Sequence, residues 1–165
     1  MSETTQIIIL GLGNILLGDE GFGVHFIKWL QQRYAFPDAV EVIDGGTLGY
    51  GLLDTVSRCR NLFVIDAIKS DDTPGSIYRF SRDEMEIAMP EPTSAHEVEF
   101  FHVLCQAELM DQSPSTTFLC IVPEHYGEMD LEMSPVMRQR FPDMERLLLK
   151  ELALLDITPE RMHHA

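Results

Sequence analysis

The feature that most limits what this chain can fold into is an early switch from an unbroken apolar run, Ile7-Ile8-Ile9-Leu10, to a glycine-broken loop, Gly11-Leu12-Gly13-Asn14. A β-branched run without polar alternation has no solvent face, so it suits a strand buried on both sides, as inside a parallel sheet. Asp19 and Glu20 then stand ahead of a helical pattern over residues 21–34, in which Phe22, Phe26, Ile27, Trp29 and Leu30 recur among Lys28, Gln31, Gln32 and Arg33. The order is strand, loop, helix start, with two acids at the mouth. Capping alone accounts for both acids: Asp19 fits an N-cap, and Glu20 a first-turn charge that suits the helix dipole.

A Gly-x-Gly turn after a buried strand also opens dinucleotide sites, but that frame places Leu16 where close helix–strand packing needs a third glycine. Two acids beside the helix start would repel a pyrophosphate besides. Asp44, at the end of a second short strand over Val40 to Ile43, sits where such a site would hold a ribose. Without the glycine fingerprint that position loses its force, and a Rossmann-type oxidoreductase is the weakest of the readings.

The rest of the chain continues the alternation. A short helix is predicted over 48–58, a third apolar strand over Leu62 to Ile65 closing on Asp66, and an edge-like strand over Ser76 to Phe80 after a turn at Lys69 to Gly75. Residues 83–93 have no clear period and are predicted to be a mobile surface loop. It leads into Ser94-Ala95-His96 and a helix whose apolar face is read as Val98, Phe101, Leu104, Cys105 and Leu109. Thr116 to Val122 form a fifth strand closed by Pro123-Glu124-His125. A last helix runs from about Pro135 to Leu155, with Pro142 near its start or at a kink. This pattern specifies an α/β fold: one domain over 1–165, doubly wound, with a mostly parallel five-stranded sheet and helices on both faces. The central order is predicted as second–first–third strand. Ligands then bind outside the carboxyl ends of the strands, between the first and the third.

Charge narrows the partners. Twelve basic against 27 acidic residues give a formal charge of −15, which disfavours nucleic acid and anionic membrane surfaces and favours a cation or a basic partner. The start, MSETTQ, lacks a basic n-region, and the apolar run behind it is too short for a leader or a membrane span, so a cytoplasmic location is expected. Cys59, Cys105 and Cys120 fit no zinc spacing and are read as buried small hydrophobes.

If the first and third strands are neighbours, Glu20 and Asp66 share one crevice, because strands lie about 4.8 Å apart and a cation about 2.1 Å from each oxygen can bridge them. His96, at a helix start, can supply a third ligand. Two carboxylates and an imidazole suit a borderline divalent ion such as nickel or zinc, with positions left open for water or substrate. The alternative stays open: a first-turn acid, a strand-end acid and a helix-start histidine need no metal. His25, His102 and His125 are weaker candidates.

The strings Gly11-Leu12-Gly13-Asn14-Ile15-Leu16-Leu17-Gly18-Asp19-Glu20-Gly21, Asp44-Gly45-Gly46-Thr47, Asp66-Ala67, Ser94-Ala95-His96 and Val122-Pro123-Glu124 together resemble the hydrogenase maturation endopeptidases in order and in gaps, to about residue 155. The resemblance implies a protease that removes a C-terminal extension from a nickel–iron hydrogenase large-subunit precursor after nickel insertion. It further implies that Glu20, Asp66 and His96 ligate the metal, and that Asp44 is tied to function near the site but off the metal. Nickel would arrive with the precursor, and zinc or cadmium can occupy the same donors in vitro. The helix after His96 departs from the family pattern in its acidity, at Glu97 and Glu99, and in carrying His102. A nickel-binding maturation chaperone or sensor would use the same ligands without cutting.

Overall fold

The apolar run becomes the central strand β1 (Ile7–Leu12), buried at every residue, in a computed structural model that describes residues 7–88 and 94–163. In chain order it is followed by α1 (Phe22–Gln31), β2 (Tyr34–Ala35), β3 (Val40–Gly46), α2 (Leu53–Ser57), β4 (Asn61–Ala67), β5 (Ile77–Ser81) and α3 (Met85–Ala88). Then come α4 (Ala95–Leu109), β6 (Ser115–Ile121), α5 (Pro135–Arg138), α6 (Phe141–Ala153) and β7 (Glu160–Arg161). Single 3-10 turns at Gly18–Gly21 and Gly49–Leu52 lead into α1 and α2.

The main sheet has five strands in the order β3-β1-β4-β6-β5. β3 and β4 flank β1 in parallel, with Gly11 level with Asp44 on one side and Ile65 on the other. This is the predicted central order, and it puts the reversal of strand order between β1 and β4. β6 runs parallel to β4, and β5 closes the far edge, as its edge-like reading expected, and runs antiparallel.

Strand pleating divides the core. Ile7 and Ile9 pack on one face with Phe22, Phe26, Ile27 and Leu30 of α1, Met137 of α5, and Met144, Leu148 and Leu152 of α6. Ile8 and Leu10 pack on the other with Val56 of α2 and Phe100, Val103 and Leu104 of α4. An aromatic cluster holds the first face: Phe22 meets Phe141 edge-on at 5.2 Å between centroids, and Trp29 lies 5.4 Å from Phe141.

Several elements differ from the sequence reading. The buried stripe of α4 is His96, Glu97, Phe100, Val103, Leu104 and Ala107, whereas Val98 and Leu109 are exposed. Two polar residues open the true stripe and hide its period, so an offset apolar stripe looked stronger. The segment 83–93 is not all loop, since Met85 anchors α3 in the core; residues 89–93 lie outside the described ones. The last helix is two, with Pro142 in the first turn of α6 and no kink. Cys59 and Cys120 are buried as read, but Cys105 is half-buried. The pair β2–β7 joins residues far apart in sequence and left no local signal.

Close packing of α1 on the sheet rests on Gly23, the role that the dinucleotide frame would give to a glycine at position 16. A Cβ on Gly23 would lie 2.2 Å from the Ile65 carbonyl oxygen and 2.3 Å from that of Leu12, both backbone. Gly23→Ala is expected to cost about 3 kcal/mol or more in a urea titration. Gly51→Ala, where a Cβ would meet Leu48 at an ordinary 3.8 Å, should stay within about 1 kcal/mol of wild type.

Candidate active site

The carboxyl ends of β1, β3 and β4 present Gly11-Leu12, Asp44-Gly45-Gly46 and Asp66-Ala67 at one edge of the sheet. Asp66 is only 4% exposed, and its Oδ1 accepts the Ala67 N–H at 2.8 Å. Its Oδ2 lies 3.4 Å from His96 Nε2, so α4 delivers the imidazole to the end of β4. Ser94 caps α4 by accepting the Glu97 N–H, and its hydroxyl lies 3.1 Å from His96 Nδ1. The ring is thus held from both nitrogens, the arrangement that orients a metal-binding or proton-carrying histidine.

Electrostatics follow burial. Desolvation pushes the Asp66 carboxyl upward, against the pull of the His96 hydrogen bond and charge. Burial also opposes charging His96, but the Asp66 hydrogen bond and charge, with Glu97 and Glu20 behind them, raise the imidazole on balance. The Asp66–His96 pair therefore retains a proton above the ordinary imidazole range.

Among the described residues, the group whose donor atoms all lie within 4.8 Å of one another is Asp66, His96 and Glu97. An imidazole and two carboxylates at that spread need only small side-chain shifts to meet one divalent ion, so the donor chemistry fits. Glu97 faces inward: with Asp66 it lines a narrow apolar space among Leu12, Val64, Phe118 and Cys120. Glu20 is buried on the Gly18–Gly21 turn and outside that group; its Oε2 accepts the Gly127 N–H at 2.7 Å. Asp44 is exposed, bonds its Oδ1 to the Gly46 N–H at 3.0 Å, and stands about 10 Å from the β4 end across β1. It borders a cleft of about 340 Å³ with Asn14, Leu16, Val24 and Thr47.

Asp19 overturns its reading as an N-cap. Gly21 is the residue before α1 and makes no side-chain cap bond. Asp19, 1% exposed, instead accepts the N–H groups of Glu124 at 3.1 Å, His125 at 3.0 Å and Ser134 at 2.7 Å, and the Ser134 hydroxyl at 2.9 Å. Backbone bonds Asp130 N to Leu16 O and Gly18 N to Asp130 O extend the tie. The first loop therefore holds the segment 124–134, and that segment returns Gly127 to Glu20. Sequence reasoning missed both this hub and Glu97 as a donor. The Ser94-x-x-Glu97 spacing was a legible capping signal; the partners of Asp19, more than a hundred residues away, left none.

His25, His102 and His125 stay off the site. His102 Nδ1 pairs with the Tyr50 hydroxyl at 2.9 Å, and His125 lies between Glu124 and Glu128 on the surface.

Comparison with known proteins agrees with this architecture. Residues 24–151 match the family model described as hydrogenase maturation protease. The chain is 32% identical over 163 residues to the hydrogenase 2 maturation protease of Escherichia coli, covering 96% of this chain and 99% of that one. It is 29% identical to the hydrogenase expression/formation protein HupD of Thiocapsa roseopersicina, over 98% of this chain and 74% of that one. The structure of the hydrogenase maturating endopeptidase HybD from E. coli superposes with a TM-score of 0.89 at 29% identity, over 94% of this chain and 97% of that one.

Two measurements test the geometry. Asp19→Ala removes the acceptor from three backbone donors and should cost about 3 kcal/mol in urea unfolding, with new protease cuts within 124–134. Asp44→Ala, which loses one exposed bond, should cost under about 1 kcal/mol. The raised His96 also makes stability depend on pH. Its contribution is fully present below the ordinary value of 6.5 and is lost as pH climbs through the higher folded value. Unfolding free energy measured across that window should fall for wild type, and the slope should flatten in His96→Gln.

Proposed function

This chain belongs to the hydrogenase maturation protease family, and from that premise we propose that it removes the C-terminal extension of a nickel–iron hydrogenase large-subunit precursor once nickel is in place. The metal is then part of the substrate, gripped by Glu20, Asp66 and His96. The observation that carries this reading is the buried Asp66–His96 contact, 3.4 Å long, at the switch point between β1 and β4. A divalent ion there polarises a scissile carbonyl or a water.

The chain's own residues supply placement. Ser94 and Asp66 hold the imidazole plane, the Gly127 N–H holds the Glu20 carboxylate, and the exposed side chains of Ile15 and Leu16 offer apolar contact beside Asp44 for the approaching segment. Asp44 orients that segment from outside the ligand set. Attack by Cys59 or Cys120 is disfavoured: burial pushes the Cys59 thiol up to about 11 and the Cys120 thiol well above its ordinary range. A precursor that brings its own ion completes a site that these residues only half build, which restricts cleavage to loaded substrate.

The test is a cleavage assay on precursor with and without nickel, read by the mass of the C-terminus. Loaded precursor alone should be cut, and Glu20→Gln, Asp66→Asn or His96→Ala should each slow cutting by about a hundredfold or more. Glu97→Gln, run beside Glu20→Gln, separates the two carboxylates: full loss with Glu97 and retention with Glu20 would move the ligand set to Asp66, His96 and Glu97. Nickel retention with no cleavage of any precursor would indicate the chaperone role instead.

A further inference from the structure

Away from the strand ends, on the sheet face covered by α1, α5 and α6, a cleft of about 480 Å³ opens beside the packed rings of Trp29 and Phe141. Its charge runs against that of the protein. His25, Lys28 and Arg138 line it, in a chain whose formal charge is −15. Five arginines elsewhere are ion-paired, Arg58 with Glu41, Arg79 with Glu151, Arg82 with Glu108, and Arg140 and Arg146 with Asp143. Lys28 and Arg138 form no ion pair among the described residues, and His25 Nε2 is enclosed there without a hydrogen-bond partner. Arg33 adds a further cation, its guanidinium 4.4 Å above the Trp29 ring. The positive field reaches the His25 ring, whose pKa is lowered by burial and then by Lys28 and Arg138.

We propose that this cleft is a docking site for an acidic polypeptide segment whose carboxylates alternate with apolar side chains. Lys28 and Arg138 pair with the carboxylates, while Trp29, Phe141 and Met133 take the apolar side chains, with Leu131, 72% exposed, at the lip. An extended segment presents its two kinds of side chain on opposite sides, matching a groove with cations and aromatic wall together. At about 480 Å³, with Trp29, Phe141, Met133 and Leu131 in its lining, the cleft is more than a small inorganic anion would fill. A planar anionic membrane or a nucleic acid would face the repulsion of the whole acidic surface, whereas one strand entering the cleft meets chiefly the local field. The site does not depend on the cleavage reading, since none of its residues belongs to the metal-capable group.

Trp29 is the sole tryptophan, so its emission reports on this cleft alone. The experiment titrates the full-length protein with an acetylated, amidated hexapeptide alternating glutamate with leucine, and in parallel with its lysine–leucine counterpart. A saturable change is expected with the acidic peptide only, weakened by salt. The variant Lys28→Glu/Arg138→Glu should bind about tenfold more weakly or worse, with Lys28→Gln/Arg138→Gln between it and wild type. Both positions are exposed, and circular dichroism confirms that the variants fold. His96→Ala should bind as wild type does, which keeps this result separate from cleavage. No saturable change, equal binding of the lysine peptide, unaltered binding by the charge-reversed variant, or tighter binding of phosphatidylglycerol vesicles than of the acidic peptide would overturn the proposal.

Discussion

Everything at the carboxyl edge of the sheet depends on how closely α1 can approach β1 and β4. Gly23 and Gly11 let backbone meet backbone: a Cβ on Gly11 would lie 2.4 Å from the Gly23 carbonyl oxygen, and one on Gly23 would collide with Leu12 and Ile65. That contact fixes where the preceding turn, Gly18–Gly21, sits over the strand ends, and so where Asp19 and Glu20 are buried. Gly13 completes the fit with φ of +138°, its hydrogen facing the Glu20 carbonyl oxygen in space that no side chain can enter.

Two adjacent acids on that turn have separate tasks. Asp19 accepts four hydrogen bonds from the segment after β6, and Glu20 is presented with a carboxylate that receives one. A buried carboxylate is tolerable only when donors replace its water, so the loop 124–134 is as necessary to Asp19 as Asp19 is to the loop. The metal-capable group is assembled by a different route. Asp66 ends a buried strand and His96 begins a capped helix, and their contact joins β4 to α4 directly. First loop, third central strand and α4 thus converge from three parts of the chain, and the fold brings them together where the strand order reverses.

The departure of α4 from its apparent apolar stripe has the same origin. His96 and Glu97 occupy the first turn of the face that packs on the sheet, which is an unfavourable place for polar groups unless they act there. The local pattern was therefore misleading where two polar residues take the buried face. It was reliable at α1, whose buried side chains are all apolar.

What the sequence determined by itself was the architecture; it nominated Asp66 and His96 together with Glu20, and the structure brings the first two into contact. The unbroken run of β1, the alternation of strands with helices, and acids at strand ends are local signals, and each follows from burial on two faces or one. The strings Gly11 to Gly21 and Asp44 to Thr47 likewise carried the family. Only the tertiary structure decided that Asp19 is a hub and not a cap, that Glu97 turns inward beside Asp66, that β2 pairs with β7, and that Lys28 and Arg138 line one cleft in an acidic protein. These are contacts between residues many turns apart, and a long-range contact leaves no period in a single chain because both halves are satisfied by whatever the fold brings near.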